Sequence, residues 1–208
     1  MKRPVKRRPG KGASQHEPAT TMRVIGGKLR GRQFDYSGDP TTRPMKDRVR
    51  EAVFNLLGTD VQGKWAIDLF AGTGALAFEA LSRGSVGATL IERHFPTAKL
   101  LTQNAEKLGL TDQVQVVTGS SLLWGRSPDA PPSSPWLVFC SPPYAMYVDQ
   151  RLELLELLKQ LLSAGPQGTM LVIESDERFS PDDLPASLAW DVRQYPPAQV
   201  AIGRPLAN

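Results

Sequence analysis

From residue 64 onward the chain alternates short apolar runs with stretches whose apolar positions recur every three or four residues. The segments are 65–70, 75–83, 88–92, Phe95–Leu108, 114–117, Trp136–Cys140, 152–162 and 169–174. Strand-like and helix-like patterns in strict alternation predict an α/β architecture, a parallel sheet with helices on both faces. Toward the end, 189–193 and 199–202 flank Pro196-Pro197 and are expected to close the sheet as an antiparallel pair at its edge. The Pro-, Ser- and Asp-rich stretch 127–135 reads as a flexible surface loop rather than a boundary between domains.

Upstream the pattern changes. Residues 22–32 alternate apolar and glycine positions with cations, which suits a short hairpin with a positive face. After the turn-rich stretch 37–44, a helix is predicted over Asp47–Leu57, with Val49, Val53, Leu56 and Leu57 on its apolar face, Lys46, Arg48, Arg50 and Glu51 outside it, and Gly58 as its stop. Residues 1–21 hold almost nothing to bury, so ordering them would cost entropy that no core offsets; they read as a disordered basic arm. The organisation expected is therefore the arm 1–21 and one domain, 22–208, that includes an N-terminal extension, 22–58.

Composition narrows the class. A chain of 208 residues, 40% hydrophobic and 22% charged, suits one sizeable core. No apolar run approaches the roughly 20 residues of a membrane span, and no apolar stretch of about 7–15 residues follows the first cations as in a secretory signal. A cytoplasmic protein that does not meet a membrane, and a monomer, is the expectation. The single cysteine, Cys140, excludes an intrachain disulfide and a multi-cysteine zinc site; no metal is expected, and with Val138 and Phe139 beside it the thiol reads as packing. The net charge of +4 is concentrated in Lys2, Arg3, Lys6, Arg7, Arg8 and Lys11, with a second basic cluster between Arg23 and Arg50. Clustered cations neutralise phosphates and release counterions, so a polyanionic partner and a merely solvated face are both open readings of the charge alone.

Candidate chemistry lies at two strand ends. The run Asp68-Leu69-Phe70-Ala71-Gly72-Thr73-Gly74 joins a strand to a helix, where ligands bind at the carboxyl edge of parallel sheets. Gly72 and Gly74 permit positive φ and close approach of a ligand to the main chain. A carboxylate inside the strand, Asp68, needs a partner, and the ammonium of a methionyl group would serve. Glu92 ends the next strand, where an acid can accept hydrogen bonds from both hydroxyls of a ribose. A dinucleotide fingerprint prefers a third glycine where Ala77 stands, which weakens an oxidoreductase without excluding it, and a P-loop would place Lys and Ser/Thr where Ala75-Leu76 follow.

The second strand end is Ser141-Pro142-Pro143-Tyr144, after Trp136–Cys140. Two prolines stiffen the loop and leave its carbonyls as acceptors. Such a loop can hold an exocyclic amine between the Ser141 hydroxyl and the Pro142 carbonyl while Tyr144 stacks on the base, aligning the nitrogen for in-line attack on a methyl carried by a sulfonium. A base inside a helix would have to be extruded to reach it.

The segments Arg23-Val24-Ile25-Gly26-Gly27, Thr42-Arg43-Pro44, Asp47-Arg48-Val49-Arg50-Glu51-Ala52-Val53-Phe54-Asn55-Leu56-Leu57 and the loop from Asp68 through Phe70 to Gly74 together resemble the RsmD family of bacterial small-subunit rRNA guanine-N2 methyltransferases, over about residues 22–204. The resemblance implies the class I S-adenosylmethionine-dependent methyltransferase (Rossmann-like) fold, a mostly parallel seven-stranded sheet with an antiparallel edge, and methylation of a guanine amine in 16S rRNA, free or in the assembling small subunit. It makes Arg23, Lys28, Arg30, Arg43 and Arg48 candidates for RNA contact. Where that family usually carries Asp-Pro-Pro-Tyr this chain has Ser141-Pro142-Pro143-Tyr144, and Ser120 stands where an acidic or amide residue often meets the cofactor's adenine amine. Two further readings therefore stand beside the enzyme: an RNA-binding protein that keeps the fold with weak or lost activity, and an amine methyltransferase acting on another base.

Overall fold

The computed structural model describes residues 20–39, 42, 44–129 and 134–206. Seven strands form one sheet in the order β5-β4-β3-β6-β7-β9-β8, with β3 (Trp65–Asp68), β4 (Gly87–Glu92), β5 (Val114–Thr118), β6 (Trp136–Cys140), β7 (Met170–Asp176), β8 (Leu188–Tyr195) and β9 (Ala198–Pro205). The first five are parallel to one another, while β9 runs antiparallel to both β7 and β8. The expected antiparallel pair is present, and the later of its two strands lies inside, between β7 and the edge strand β8.

Alternation along each strand sorts side chains onto two faces. Ala66, Leu90, Leu137, Phe139, Val172, Val200 and Ile202 join a core beneath α1 (Asp47–Leu57), α2 (Ala75–Ser82) and α3 (Phe95–Leu108). Their strand neighbours Ile67, Ile91, Val138, Cys140, Ile173 and Ala201 join the opposite core, with Trp124 of α4 (Ser121–Trp124), Tyr147 of α5 (Met146–Asp149) and Leu154, Leu157, Leu158 and Leu161 of α6 (Arg151–Ala164). Strands buried on both faces explain why they read as continuous apolar runs. Cys140 sits in the second core, where burial pushes its thiol up to about 12.

The N-terminal hairpin differs from the sequence expectation. Its strands are β1 (Thr20–Arg23) and β2 (Gln33–Tyr36), registered Met22 against Phe34, so most of 22–32 is the connection rather than the hairpin. The glycine pair is the cause: Gly27 has φ +73, and a Cβ on it would sit 2.0 Å from the Ser82 carbonyl oxygen. The strand therefore gives way to a tight turn pressed on α2. β1 also begins inside the stretch assigned to the basic arm; the rest of that assignment, residues 1–19, lies outside the described residues, as do 130–133 of the loop 127–135.

Helix α1 has the expected bounds, but Arg50 is on its buried side and fully enclosed, Phe54 is buried too, and Leu56 is only half-buried. The buried stripe is Val49, Arg50, Val53, Phe54 and Leu57, set by what the helix meets. Phe54 packs on Phe139, ring centroids 5.8 Å apart, and the Arg50 guanidinium faces Glu79 of α2. The extension shares its core with the sheet, through Val24, Phe34, Val53, Phe54 and Leu57.

Candidate active site

The chain passes from β3 outward to β4 and β5, then returns to lay β6 on the other side of β3. Such a reversal leaves a crevice at the carboxyl ends of the two central strands. A cavity of about 860 Å³ opens there, lined from every neighbouring strand end: Asp68–Thr73 after β3, Glu92 of β4, Gly119–Leu122 after β5, Ser141–Tyr144 after β6 and Glu174 of β7. Its volume is near the top of the usual range of roughly 300–1,000 Å³ for small-molecule sites.

Asp68 is the last residue of β3 and is 1% exposed. Burial, reinforced by the Glu92 charge, raises its carboxyl to about 7 against the pull of the Phe70 and Ala77 backbone amides. Its Oδ1 has no hydrogen-bond partner among the described residues. An orphaned carboxylate oxygen at a cavity wall is costly without a ligand to meet it. Glu92 Oε2 accepts from the Gly72 amide at 2.9 Å and Oε1 from the His94 amide at 2.8 Å, which fixes the carboxylate beside the glycine loop.

The two glycines part company. Gly72, φ +48, lines the cavity, and a Cβ there would come within 2.9 Å of the Thr42 methyl. Gly74, φ +77, caps α2 and is absent from the cavity wall; a Cβ on it would strike Leu101 and Phe78, both at 2.7 Å. Its glycine serves packing. Phe70 and Ser120 both line the cavity, Ser120 as the residue that opens α4. The neighbouring Ser121 hydroxyl donates to the Leu69 carbonyl, tying α4 to the loop after β3.

At the β6 end, Ser141, Pro142, Pro143 and Tyr144 all face the cavity. The Tyr144 hydroxyl donates to Glu174 Oε1 at 3.0 Å, and the Tyr147 hydroxyl donates to the Glu174 carbonyl at 2.7 Å, so α5 is bound to the end of β7.

Of the five cations singled out by the sequence, Arg48 lines the cavity mouth, with Lys46 beside it. Lys28 and Arg30 are exposed in the turn between β1 and β2. Arg23 is exposed as well, but its Nε lies 3.1 Å from Asp47. Arg43 lies outside the described residues. Sequence reasoning missed Glu174 as a cavity residue, and it expected the antiparallel return at Pro196-Pro197 without placing Gln194 and Tyr195 at the end of β8, or the two prolines, in the cavity wall. An acid at the carboxyl end of a predicted strand was a signal for Glu174; nothing local marks a turn brought across by an antiparallel return.

A mostly parallel sheet of this order with an antiparallel edge and convergent polar strand ends around one crevice is the Rossmann-like fold of class I methyltransferases. The family model described as conserved hypothetical protein 95 matches residues 22–202. The chain is 35% identical over 142 residues to ribosomal RNA small subunit methyltransferase D of Escherichia coli K12, covering 68% of this chain and 70% of that one. It is 40% identical over 95 residues to the putative rRNA methyltransferase YlbH of Bacillus subtilis, 46% of this chain and 52% of that one. Among solved structures, the putative methyltransferase yhhF from Escherichia coli superposes with a TM-score of 0.74 at 28% identity, over 91% of this chain and all of that one. The chain belongs to the conserved hypothetical protein 95 family, that of ribosomal RNA small subunit methyltransferase D.

Proposed function

We propose that this chain transfers a methyl group from S-adenosylmethionine to the exocyclic N2 amine of a guanine in 16S rRNA of the small ribosomal subunit, acting as a cytoplasmic monomer. The observation that carries the reading is that a buried carboxylate with one oxygen left unpartnered, Asp68, and an amine-accepting loop, Ser141–Tyr144, open onto the same cavity. The residues present fit the cofactor. Asp68 Oδ1 would meet the methionyl ammonium, Gly72 would allow close approach, Glu92 would accept from the ribose hydroxyls, and Phe70 and Ser120 would flank the remainder; Gly74 shapes the turn from behind. S-adenosylmethionine supplies an electrophilic methyl on sulfonium.

The chain's own groups do the positioning. The Ser141 hydroxyl and the Pro142 carbonyl accept the two amine hydrogens, leaving the nitrogen lone pair directed along the transfer axis, and Tyr144 supports the base face. The stiffness of Pro142-Pro143 lowers the entropy of holding that geometry. Arg48 at the mouth, with Arg23, Lys28, Arg30 and Arg43 of the extension, binds phosphates and sets the orientation of the RNA. The naming of the relatives as small-subunit rRNA methyltransferases supports the substrate class. No helix among the described residues is long and apolar enough to cross a membrane.

The test is a methylation map of 16S rRNA from a strain lacking the gene beside its parent. Loss of one N2-methylguanosine, restored by the purified chain with labelled cofactor, is the expected result; an unchanged map overturns the reading. Light scattering of the same preparation checks the monomeric state.

A further inference from the structure

Of the acids that line the cavity, Asp68 and Glu92 stand at the glycine loop, whereas Glu174 stands beside the Ser141–Tyr144 loop. It lies on β7, the strand next to β6, whose partner residues there are Cys140 and Ile173, so the register sets Glu174 level with Ser141 at the sheet's carboxyl edge. Its backbone carbonyl is held by Tyr147 and its Oε1 by Tyr144, which fixes both ends of the residue. The half-buried carboxylate thus has a defined direction beside the position expected for the substrate amine.

We propose, resting on the methyl-transfer reading above, that Glu174 is the specificity-determining residue that recognises guanine by its N1–H. An ionised carboxylate is an acceptor only. Guanine presents two adjacent donors on one edge, N1–H and the N2 amine. Adenine offers a bare acceptor at N1 and cytosine one at N3, and a carboxylate facing either repels it. Serine at position 141 cannot enforce this choice, because a hydroxyl both donates and accepts and so tolerates any amine-bearing base. A carboxylate one strand over supplies the discrimination: the Ser141 loop takes the amine hydrogens and Glu174 takes N1–H. Tyr144, which donates to Glu174 while its ring faces the cavity, is a positioning residue that couples base stacking to the direction of the carboxylate. A polar site of this kind, once the base covers it, rejects the analogue that lacks its matching donor far more strongly than an apolar pocket rejects a change of size.

The experiment compares a small-subunit rRNA substrate carrying guanine at the target with one carrying 2-aminopurine, which keeps the N2 amine and presents a bare acceptor at N1. Wild-type protein is expected to prefer guanine in kcat/KM by at least about a hundredfold. Glu174→Gln should narrow that preference by at least about tenfold, because its amide can turn a donor toward N1. S-adenosylhomocysteine binding reports that the variant is folded. Should that variant fail to fold, Tyr144→Phe, which keeps the ring and removes the hydroxyl, is expected to narrow the preference in the same direction. A preference unchanged in the folded variant overturns the assignment of Glu174 while wild-type turnover on guanine still stands. Absence of wild-type turnover on guanine overturns the methyl-transfer reading instead.

Discussion

Asp68 carries the clearest conflict between stability and use. With its carboxyl raised from the ordinary 3.8 to about 7, the ligand-free fold prefers the neutral form. An unfolded chain binds fewer protons than the folded one between those values, so this group lowers stability as pH rises from about 4 to 7, by about 1.4 kcal/mol for each pH unit crossed. A cationic ligand reverses the preference, because an ammonium favours the ionised carboxylate. Below pH 7 a proton must leave before the pair forms, so S-adenosylhomocysteine, which carries the same ammonium, is expected to bind up to about tenfold more weakly for each pH unit from pH 7 down to pH 5. Calorimetry across that range reads the slope and the proton released on binding. A flat affinity, with no proton release, would remove Asp68 from the ammonium site.

At the scale of elements, the joint between the extension and α2 is built on a buried carboxylate. Glu79 is 1% exposed; Oε2 accepts from the Ile25 amide at 2.7 Å, and Oε1 from the Gly26 amide at 2.8 Å and from Arg83 Nε at 2.7 Å. Arg50 Nε stands 4.0 Å away, and its Nη2 reaches the Arg23 carbonyl at 2.7 Å and Asp47 at 3.1 Å. Burial lowers the Arg50 guanidinium's affinity for its proton, and Asp47 and Glu79 oppose that. Removing one partner of such a cluster leaves an uncompensated charge in the core. Glu79→Ala should therefore cost about 3–5 kcal/mol in urea unfolding and speed amide exchange at Ile25 and Gly26. A cost below about 1 kcal/mol would mean that the joint is held by its apolar contacts alone.

The same joint marks where sequence reading stopped. Strand and helix bounds on the parallel sheet were legible where a strand such as β4 or β6 is buried on both faces and a helix such as α3 on one. The helical period placed α3, and the unbroken apolar run placed β6. The cavity residues before and after the glycine turn were legible for a local reason, since strand ends in this topology face one crevice. Arg50 was placed outside because a cation on a helix belongs in water unless a partner waits. Asp47, three positions away, pairs with it from the half-exposed side, but the buried partner, Glu79, is 29 positions away on another helix. Gly74 has the positive φ expected of it, but the space a side chain would take there is filled by Leu101 and Phe78, because what lies above a glycine is tertiary.

At the scale of the whole molecule, charge and cavity are arranged so that affinity and placement are separable. Arg48 and Lys46 sit at the cavity mouth, whereas Lys28 and Arg30 stand on the turn that Glu79 and Ser82 fasten to α2. None of the four has an ion-pair partner among the described residues, in contrast to Arg23, whose charge Asp47 already answers. A cation with no partner can neutralise a phosphate and release its counterion; a paired one must first give up its acid. Replacing Lys28 and Arg30 together by Ala is thus expected to reduce the slope of log affinity against log salt by roughly 1.4–1.8, while Arg23→Ala changes it by less than one contact's worth, about 0.7–0.9. Filter binding of small-subunit rRNA over a salt series measures both. If the double variant keeps the wild-type slope, the hairpin turn does not meet phosphate, and the positive charge that draws RNA to the cavity comes from other cations, such as Lys46 and Arg48 at its mouth.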